Sequence, residues 1–322
     1  MKFFLVAASI LSAQTALADE GDFDYNRWNT ILNQVQESAL KMNISAETIN
    51  AVVQNAKFVP RVVYLDRNQP EYKLTATEYL DKMINNQRVL DGKRALREYP
   101  TLLARAEKEY GIPKELLVAF WGMESNYGKF KASFYLPDAF LSLIYDGRRE
   151  TFFKQQLLSL MKTADKSKLD IRQIEGSWAG AMGHFQFIPT TLEQYGVDGN
   201  KNGKIDIIHN TSDAIMSAAN YLSKLKYDKL SKIVREVSLP QGFDMKHADV
   251  KNKKPLETWS RLGVMNLDGS PLPMSDKSAG MFAPDGADGR AWLTYDNFDR
   301  IKKWNNSNNY ALAVAILMER LK

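Results

Sequence analysis

The glutamate with the clearest catalytic potential follows an apolar run in GIPKELLVAFWGMESNYG, residues 111–128. Glu124 lies seven residues after Leu117 and three after Trp121, a spacing that places the three side chains on one face of a helix. Burial on that face, close to the negative end of the helix dipole, would disfavour the charged carboxylate. A glutamate kept protonated in this way can act as a general acid. The segment alone also allows a plainer role, in which Glu124 ends the helix in solvent or pairs with a nearby lysine.

A second segment suited to chemistry, EGSWAGAMGHFQFIPTTLEQYG at residues 175–196, combines dense glycine with neutral polar groups. The glycines let the backbone approach a ligand or another segment closely, although helix packing or turns would use them equally well. Ser177 and Gln186 offer hydrogen bonds within a mostly apolar stretch, which fits sugar hydroxyls and acetamides better than ions. Thr190 and Glu193 have the spacing of a capping box, which predicts that the next helix starts there.

The loop DGNKNGKIDIIHNTSDA, which begins at Asp198, has the front half of a calcium-binding EF-hand loop. Asp198, Asn200 and Asn202 occupy positions 1, 3 and 5 of that pattern, and Gly203 occupies position 6. The back half departs from it, because position 12 is His209 and not a bidentate glutamate. Two interpretations remain open, a weak metal site and a turn held by Asx side chains without a metal.

The composition excludes several classes of partner and site. The 322 residues include 43 Lys and Arg against 38 Asp and Glu, a mildly basic balance without a compact basic cluster, so nucleic acid is a poor candidate partner. The sequence has no cysteine, which excludes disulfides, thiolate metal sites and lipid attachment at a cysteine. No segment after the N-terminus has the ~20 uninterrupted apolar residues that a transmembrane helix needs.

The N-terminal residues MKFFLVAASILSAQTALADE have the pattern of an export signal. One lysine precedes a short apolar stretch, which closes on the small-x-small sequence ending at Ala18. We therefore expect residues 1–18 to be a signal peptide that is cleaved near Ala18. The mature chain is expected to be soluble and periplasmic, to be no lipoprotein and to have no membrane anchor.

The elements that must position these groups are mainly helical. Helical periodicity predicts an α lobe over residues 19–100, joined by a C-terminal helix over 299–322, and a second helical block with glycine-rich turns over 101–225. Short β-branched and aromatic runs broken by Gly, Pro and Asp predict a small β-rich lobe over 226–298. The segment FVPRVVYLDRNQPEY, residues 58–72, has β-branched residues and two prolines and is predicted to be an extended connector.

Several helix ends carry local signals. Ser45 predicts the start of one helix. Pro113 suits the first turn of the helix that carries Glu124, and Gly128 suits its C-terminal stop.

The sequence contains five motifs in a fixed order: WGMESNYG, YDGRRETFF, GSWAGAMGHFQFIPTT, DAIMSAANYL and YDNFDRIKKWNNSNNYALAV. Together with DRNQPE at residues 66–71, and at similar distances, they resemble the lytic transglycosylase B family of peptidoglycan-cleaving enzymes. The resemblance covers most of the mature chain. It implies a mainly α fold of the α+β type, with a lysozyme-like helical core flanked by an α lobe and a small β-rich lobe. It also implies cleavage of the β-1,4 bond between MurNAc and GlcNAc in peptidoglycan glycan strands, by a chain that we expect to be monomeric.

The same resemblance implies roles for individual residues. Glu124 matches the catalytic acid/base of the family. Arg148 and Arg149 match a basic pair near its cleft, where they would suit lactyl or peptide carboxylates. Trp304 stands where a tyrosine is usual, which keeps an aromatic surface for a sugar face but lacks the hydroxyl. Five further residues match those that line the glycan groove: Ser177, Gln186, Tyr221, Asn305 and Tyr310.

For the loop at residues 198–213, the resemblance implies an EF-hand-like site completed by a later aspartate, which matches Asp213. No cofactor is required for the expected chemistry. A structural Ca²⁺ would bind weakly, because neutral ligands replace acids at two positions. Its ligands would be Asp198, Asn200, Asn202, the Lys204 carbonyl and Asp213.

Three functions from different classes follow. The first is a lytic transglycosylase, the second is a muramidase that uses water, and the third is a wall-binding or calcium-binding protein that has lost catalysis. A glutamate on an apolar helix face argues against the third, since a binding module does not need it. The motifs that match the groove supply no second carboxylate, which hydrolases of the usual kind require. The transglycosylase prediction therefore takes Glu124 as acid and then base, gives 1,6-anhydroMurNAc ends, and adds other cell-wall enzymes as expected partners.

Overall fold

The computed structural model describes residues 23–68, 74–130, 132–275 and 277–322. The predicted signal peptide, residues 1–18, lies outside these ranges. Within them, no helix is both long enough and apolar enough to cross a bilayer. The secondary structure is mainly helical with two small antiparallel sheets, which confirms the predicted mainly α class with a minor β component.

Fourteen α-helices, numbered in chain order, make up most of the described structure. They are α1 Tyr25–Lys41, α2 Ala46–Val53, α3 Pro60–Arg67, α4 Ala76–Met83, α5 Asn86–Glu98, α6 Pro100–Tyr110, α7 Lys114–Ser125, α8 Leu136–Asp146, α9 Glu150–Ser167, α10 Pro189–Tyr195, α11 Thr211–Lys224, α12 Leu256–Arg261, α13 Asp296–Trp304 and α14 Asn308–Leu321.

The chain forms two compact units, each assembled from separate stretches. The first unit comprises the described parts of residues 72–123 and 221–322, and the second comprises those of residues 6–71 and 124–220. The sequence predicts three lobes with other boundaries, and those boundaries remain a prediction.

The second unit is built around α8 and α9, which pack against each other. Every residue of α8 from Leu136 to Ile144 is buried. Pro137 stands in the first turn of α8, where a missing N–H leaves no hydrogen bond unmade, and Gly147 ends the helix at a φ of 83°. Each large apolar side chain buried in this pair contributes about 1.5–3 kcal/mol of transfer free energy.

Helix α2 begins at its predicted cap. The Ser45 Oγ accepts a hydrogen bond of 3.3 Å from the Thr48 N–H, which confirms the predicted helix start. The hydroxyls of Ser45 and Thr48 also donate to the carboxylate of Asp165 in α9. These bonds lower the pKa of Asp165 against the opposing effect of its desolvation. The cap of one helix is thereby tied to the side of another.

The segment predicted to be an extended connector is helical over Pro60–Arg67, so that prediction is wrong. Pro60 occupies the first helical position, where its fixed φ favours the helix. Val62 and Asp66 are buried and lie four residues apart, on one face of α3. Packing of this face against α8 outweighs the extended preference of the β-branched residues.

The strands, in chain order, are β1 Phe134–Tyr135, β2 Glu175–Gly176, β3 Val234–Ser238, β4 Lys254–Pro255, β5 Met265–Asn266, β6 Ser278–Phe282 and β7 Ala291–Thr294. The first unit holds a five-stranded antiparallel sheet with the order β4-β6-β7-β3-β5. All four residues of the central strand β7 are buried. An apolar cluster that includes Trp259, Met281 and Leu293 forms the core of this region.

A two-stranded sheet lies in the second unit. Strands β1 and β2 pair antiparallel, with Phe134 opposite Gly176. A β-carbon on Gly176 would lie 2.5 Å from the Ala181 carbonyl oxygen, so only glycine fits this position. The pairing fixes the start of the segment that carries Ser177.

Candidate active site

Glu124 is the penultimate residue of α7, which ends at Ser125. The helix is buried from Leu116 to Met123, and Glu124 is the first residue after that stretch with partial exposure. The sequence predicts one buried face for this helix. Every residue from Leu116 to Met123 is buried, so α7 is covered on all sides and the prediction of a single face is too narrow. Burial of the preceding turns fixes α7, and half-burial of Glu124 does not fit the alternative of a fully solvated helix end.

The backbone after Glu124 turns through an uncommon conformation. Asn126, Tyr127 and Gly128 have φ values of 51°, 62° and 79°, so three successive residues lie in the left-handed region. That region is unfavourable for most residues with a β-carbon, such as Tyr127, whereas Asn and Gly adopt it more readily. The predicted stop at Gly128 comes three residues after Ser125, the last helical residue.

Ser125 supports this turn from inside the second unit. Its Oγ accepts a hydrogen bond of 2.8 Å from the Gly128 N–H and donates one of 2.6 Å to the His184 carbonyl. The residue is 3% exposed. The hydroxyl therefore joins the end of α7 to the glycine-rich segment that carries Ser177 and Gln186.

Ser177 and Gln186 lie in tight turns between β2 and α10. The buried Ser177 accepts at Oγ from the Ala181 N–H at 3.0 Å, and its own N–H donates to the Ala181 carbonyl at 2.8 Å. Gln186 has a φ of 50°, and its Nε2 donates to the Gly183 carbonyl at 3.0 Å. Each side chain thus stabilises its own turn, and contact with a glycan stays a prediction.

Close packing explains two glycines of this segment. A β-carbon on Gly180 would lie 2.2 Å from the ring of Phe140, and Gly180 has a φ of 91°. A β-carbon on Gly183 would lie 2.4 Å from the Ile207 carbonyl oxygen, and Gly183 has a φ of 71°. These glycines serve packing and turns within the second unit, one of the two uses that the sequence allows.

The predicted capping box of Thr190 and Glu193 is wrong. Helix α10 begins at Pro189 and has no side-chain cap. The Thr190 hydroxyl instead donates to Gln156 Oε1 at 3.1 Å, and Glu193 pairs with Lys162 at 2.8 Å. Because Pro189 itself favours a helix start, both polar side chains are left to bind α9.

Arg148 and Arg149 share one buried partner, Asp66 of α3. Arg148 also donates from Nη2 to the Asp66 carbonyl at 2.8 Å, and the Arg149 guanidinium lies 4.7 Å from the ring centroid of Phe153. The exposed fraction of the side chain is 49% for Arg148 and 16% for Arg149. The basic pair is therefore used within the second unit, and its contact with a substrate carboxylate stays a prediction.

In the first unit, three of the predicted groove aromatics pack near Phe120 of α7. The rings of Tyr221 and Trp304 have centroids 4.9 Å apart, and Phe120 lies 4.8 Å from Trp304 and 6.1 Å from Tyr310. Tyr310 is 5% exposed, which favours a packing role for most of its ring. Asn305 follows α13 directly, and its N–H closes the last turn of that helix.

The loop at residues 198–213 is held by its own acidic and amide side chains. Asp198 accepts from the N–H groups of Asn202 at 3.1 Å and Gly203 at 2.7 Å. The fully buried Asp213 accepts from Gly199 at 2.8 Å, and it also accepts from two further backbone N–H groups. Burial raises the pKa of Asp213, and these hydrogen bonds oppose the rise.

The donor set of this loop fits a weakly held Ca²⁺. Asp198 Oδ1 and Asn200 Oδ1 both lie 3.1 Å from the amide nitrogen of Asn202, so two side-chain oxygens already converge. Oxygen-only donors suit a hard cation. Within the described ranges, however, no three His, Asp or Glu side chains gather closely enough to hold a metal ion. The ligand charge is therefore low, and the metal site stays a prediction.

Residues 27–319 match the family described as Transglycosylase SLT domain. The chain belongs to this transglycosylase family. Among curated relatives of this SLT transglycosylase is the membrane-bound lytic murein transglycosylase B of Escherichia coli strain K12, which is 29% identical over 249 residues. That alignment covers 73% of this chain and 64% of the relative, so the chain spans less than two thirds of the relative's length.

Solved structures share the fold of this SLT transglycosylase. SltB3 from Pseudomonas aeruginosa, in complex with NAG-anhNAM-pentapeptide, has a TM-score of 0.87 and 36% identity, with 91% of this chain and 79% of that chain covered. The Escherichia coli lytic transglycosylase Slt35, in complex with calcium, has a TM-score of 0.76 and 26% identity, with 92% of each chain covered.

Three residues of the SLT transglycosylase that contact or adjoin the predicted site residues are not predicted for the site from the sequence. Ser125 directly follows Glu124, Asp66 opens the DRNQPE motif, and His184 accepts from Ser125 at its carbonyl. Their positions inside the matched motifs are the available signal. Their partners lie 59 residues away for Ser125 and 82 for Asp66, so no local spacing shows these contacts.

Proposed function

We propose that this chain is a lytic transglycosylase that cleaves the β-1,4 bond between MurNAc and GlcNAc in peptidoglycan and leaves 1,6-anhydroMurNAc ends. Membership of the SLT transglycosylase family supports the reaction class. The observation that carries the assignment to one residue is the partly exposed Glu124, which directly follows the buried stretch from Leu116 to Met123 of α7. Such a substrate puts the activity in the periplasm.

Glu124 serves the proposed reaction as acid and then as base. Its carboxyl first donates a proton to the glycosidic oxygen, and the bond between that oxygen and the anomeric carbon breaks. The 2-acetamido group of the sugar meets the positive charge that develops at the anomeric carbon. The Glu124 carboxylate then takes the proton of the sugar's 6-hydroxyl, whose oxygen bonds to the anomeric carbon. No water is consumed, and proximity favours this intramolecular attack over water.

The buried acids of the second unit support a route with a single catalytic carboxyl. A hydrolase of the usual kind places a second carboxylate across the sugar. Asp66 is bound by two arginines, Asp138 accepts from the Lys57 N–H at 3.0 Å, and Asp213 accepts from backbone N–H groups of its loop. These three carboxylates are bound by groups of the protein, and Glu124 is the acid that both the family resemblance and its partial exposure indicate.

The glycan contacts are part of the proposal. The hydroxyl and amide groups named above suit sugar hydroxyls and acetamides, and aromatic rings suit sugar faces. SltB3 has been solved with NAG-anhNAM-pentapeptide and with NAG-NAM-pentapeptide, which supports both a glycan ligand and an anhydro product. The residues proposed to bind the glycan are Ser177, Gln186, Tyr221, Asn305, Tyr310 and Trp304.

The assignment is tested with Glu124→Gln on purified murein sacculi. The amide keeps the shape of the side chain but cannot donate the proton, so release of soluble fragments should fall by ~10²–10⁴-fold. Glu175→Gln is the matched control, since Glu175 is an exposed glutamate of the same unit, and it should retain wild-type activity. Wild-type turnover by Glu124→Gln would remove this residue from the mechanism.

A further inference from the structure

The segment that directly follows Glu124 in the chain has a strained backbone and is held by hydrogen bonds of Ser125. Its three left-handed residues, Asn126 to Gly128, include two that carry a β-carbon, and such conformations persist only where the surroundings enforce them. Strain of this kind concentrates where a protein must hold a particular geometry. The structure therefore needs an anchor at this point, one residue after the proposed acid.

The anchor is the Ser125 hydroxyl, which both donates and accepts a hydrogen bond. It donates its proton to the His184 carbonyl and accepts from the Gly128 N–H, in a position that is 3% exposed. A second contact reinforces it, since a β-carbon on Gly128 would lie 2.7 Å from two ring atoms of His184. The imidazole ring of His184 thus packs directly against the backbone of Gly128, and the Ser125 hydroxyl bridges the Gly128 N–H and the His184 carbonyl.

We infer that Ser125 is a positioning residue, whose hydroxyl sets the last turn of α7, and with it Glu124, against the turn that contains Gln186. The His184 carbonyl lies two residues before Gln186, so the same bond fixes both ends of this junction. The inference rests on the proposed function, because it takes Glu124 as the acid. Ser125 itself touches neither the reacting atoms nor the transferred proton in this scheme.

The test compares Ser125→Ala with Ser142→Ala in steady-state kinetics on soluble GlcNAc-MurNAc-peptide oligomers. Ser142 is a matched control, because it is 0% exposed, accepts at Oγ from the Val59 N–H at 2.8 Å and donates to the Asp138 carbonyl at 2.7 Å. Both variants lose one buried hydroxyl with two hydrogen bonds. We expect similar losses of thermal stability in the two.

Only Ser125→Ala should lower kcat, by about 10- to 100-fold with KM little changed, since a small misplacement of a reacting group has effects of this size. An equal fall of kcat in Ser142→Ala would overturn the inference, because the loss would then be structural. A raised KM with wild-type kcat in Ser125→Ala would also overturn it, since the hydroxyl would then support binding.

A second variant approaches the junction from its other side, in case Ser125→Ala does not fold. Gly128→Ala pushes a β-carbon against His184 and should lower kcat, whereas Gly242→Ala, at a φ of 74° with nothing within 4 Å, should not. Glu124→Gln is measured alongside. If Glu124→Gln is inactive while Ser125→Ala and Gly128→Ala keep wild-type kcat, only the positioning role of Ser125 is overturned. If Glu124→Gln stays active, both the role of Glu124 as the acid and the positioning role of Ser125 are overturned.

Discussion

At the residue scale, most buried polar side chains of the second unit form hydrogen bonds with its backbone or ion pairs with its other side chains. Asp66 holds two guanidinium groups, and Asp213 holds the backbone of a loop. A buried group held in this way is costly to alter, because its partners are left in a site with little water. Such residues are expected to contribute to stability, whereas we propose the partly exposed Glu124 for the chemistry.

Asp66→Asn should lower the free energy of unfolding by about 3 kcal/mol, because it breaks a buried ion pair and leaves two guanidinium groups without their counter-charge. Urea denaturation followed by circular dichroism measures this loss. The control is Asp170→Asn, whose partner Arg172 has a side chain that is 62% exposed, and it should unfold close to wild type. Equal midpoints for the two variants would contradict the structural role of Asp66.

His184 should make stability depend on pH near neutrality. Burial lowers the pKa of His184 below its ordinary value of 6.5, so the unfolded chain binds a proton at this residue more readily than the folded chain. Its contribution to stability is therefore complete above the unfolded pKa and is lost as the pH falls through the folded pKa. We expect the free energy of unfolding to decline from about pH 7 to pH 5.

The measurement is urea denaturation across this range for the wild type, His184→Gln and His247→Gln. The decline should be shallower in His184→Gln and unchanged in His247→Gln. Parallel curves for all three proteins would rule out His184 as the source.

At the element scale, the sequence predicts correctly those helices that are determined by interactions between residues close together in the chain. The Ser45 cap and the helix that carries Glu124 follow from short-range hydrogen bonds and an apolar run, and both are present. The segment Pro60–Arg67 is predicted incorrectly, because its conformation is decided by packing against α8. The capping box predicted at Thr190 is wrong for a related reason, since the Thr190 hydroxyl binds Gln156, a residue 34 positions away. Contacts at such distances leave no spacing pattern in a single sequence.

The glycine-rich segment offers a prediction at the same scale. Gly180→Ala should destabilise the protein by about 3 kcal/mol, because it combines a left-handed φ with overpacking against Phe140. Gly111→Ala is the control, since Gly111 has a φ of 70° with nothing within 4 Å of the added carbon, and it should cost only about 1 kcal/mol. Thermal unfolding followed by circular dichroism compares them. Similar losses would show that contact with Phe140 is unimportant.

At the scale of the whole molecule, one family model matches residues 27–319, which is nearly all of the described chain. No disulfide contributes to its stability, since the sequence has no cysteine. A ligand that binds only the folded chain adds to this stability by mass action. Calcium is the candidate, because a relative of the same fold has been solved with it.

Calcium should raise the Tm modestly and only at millimolar concentration, because the proposed ligand set has two carboxylates, Asp198 and Asp213, and otherwise neutral oxygens. Differential scanning calorimetry with and without CaCl₂ measures the shift, and Asp198→Asn should remove most of it. A submicromolar affinity by titration calorimetry would contradict the weak site. An unchanged Tm in millimolar calcium would favour a turn held by Asx side chains alone.

The most direct test of the central claim is the mass of the earliest soluble products from murein sacculi. If Glu124 acts as acid and then as base, without water, the fragments must end in 1,6-anhydroMurNAc and be lighter by one water than the products of hydrolysis. We expect mass spectrometry to show these ends from the first time points, and to show none with Glu124→Gln. Reducing MurNAc ends among the first products of the wild type would contradict the account and make the protein a muramidase.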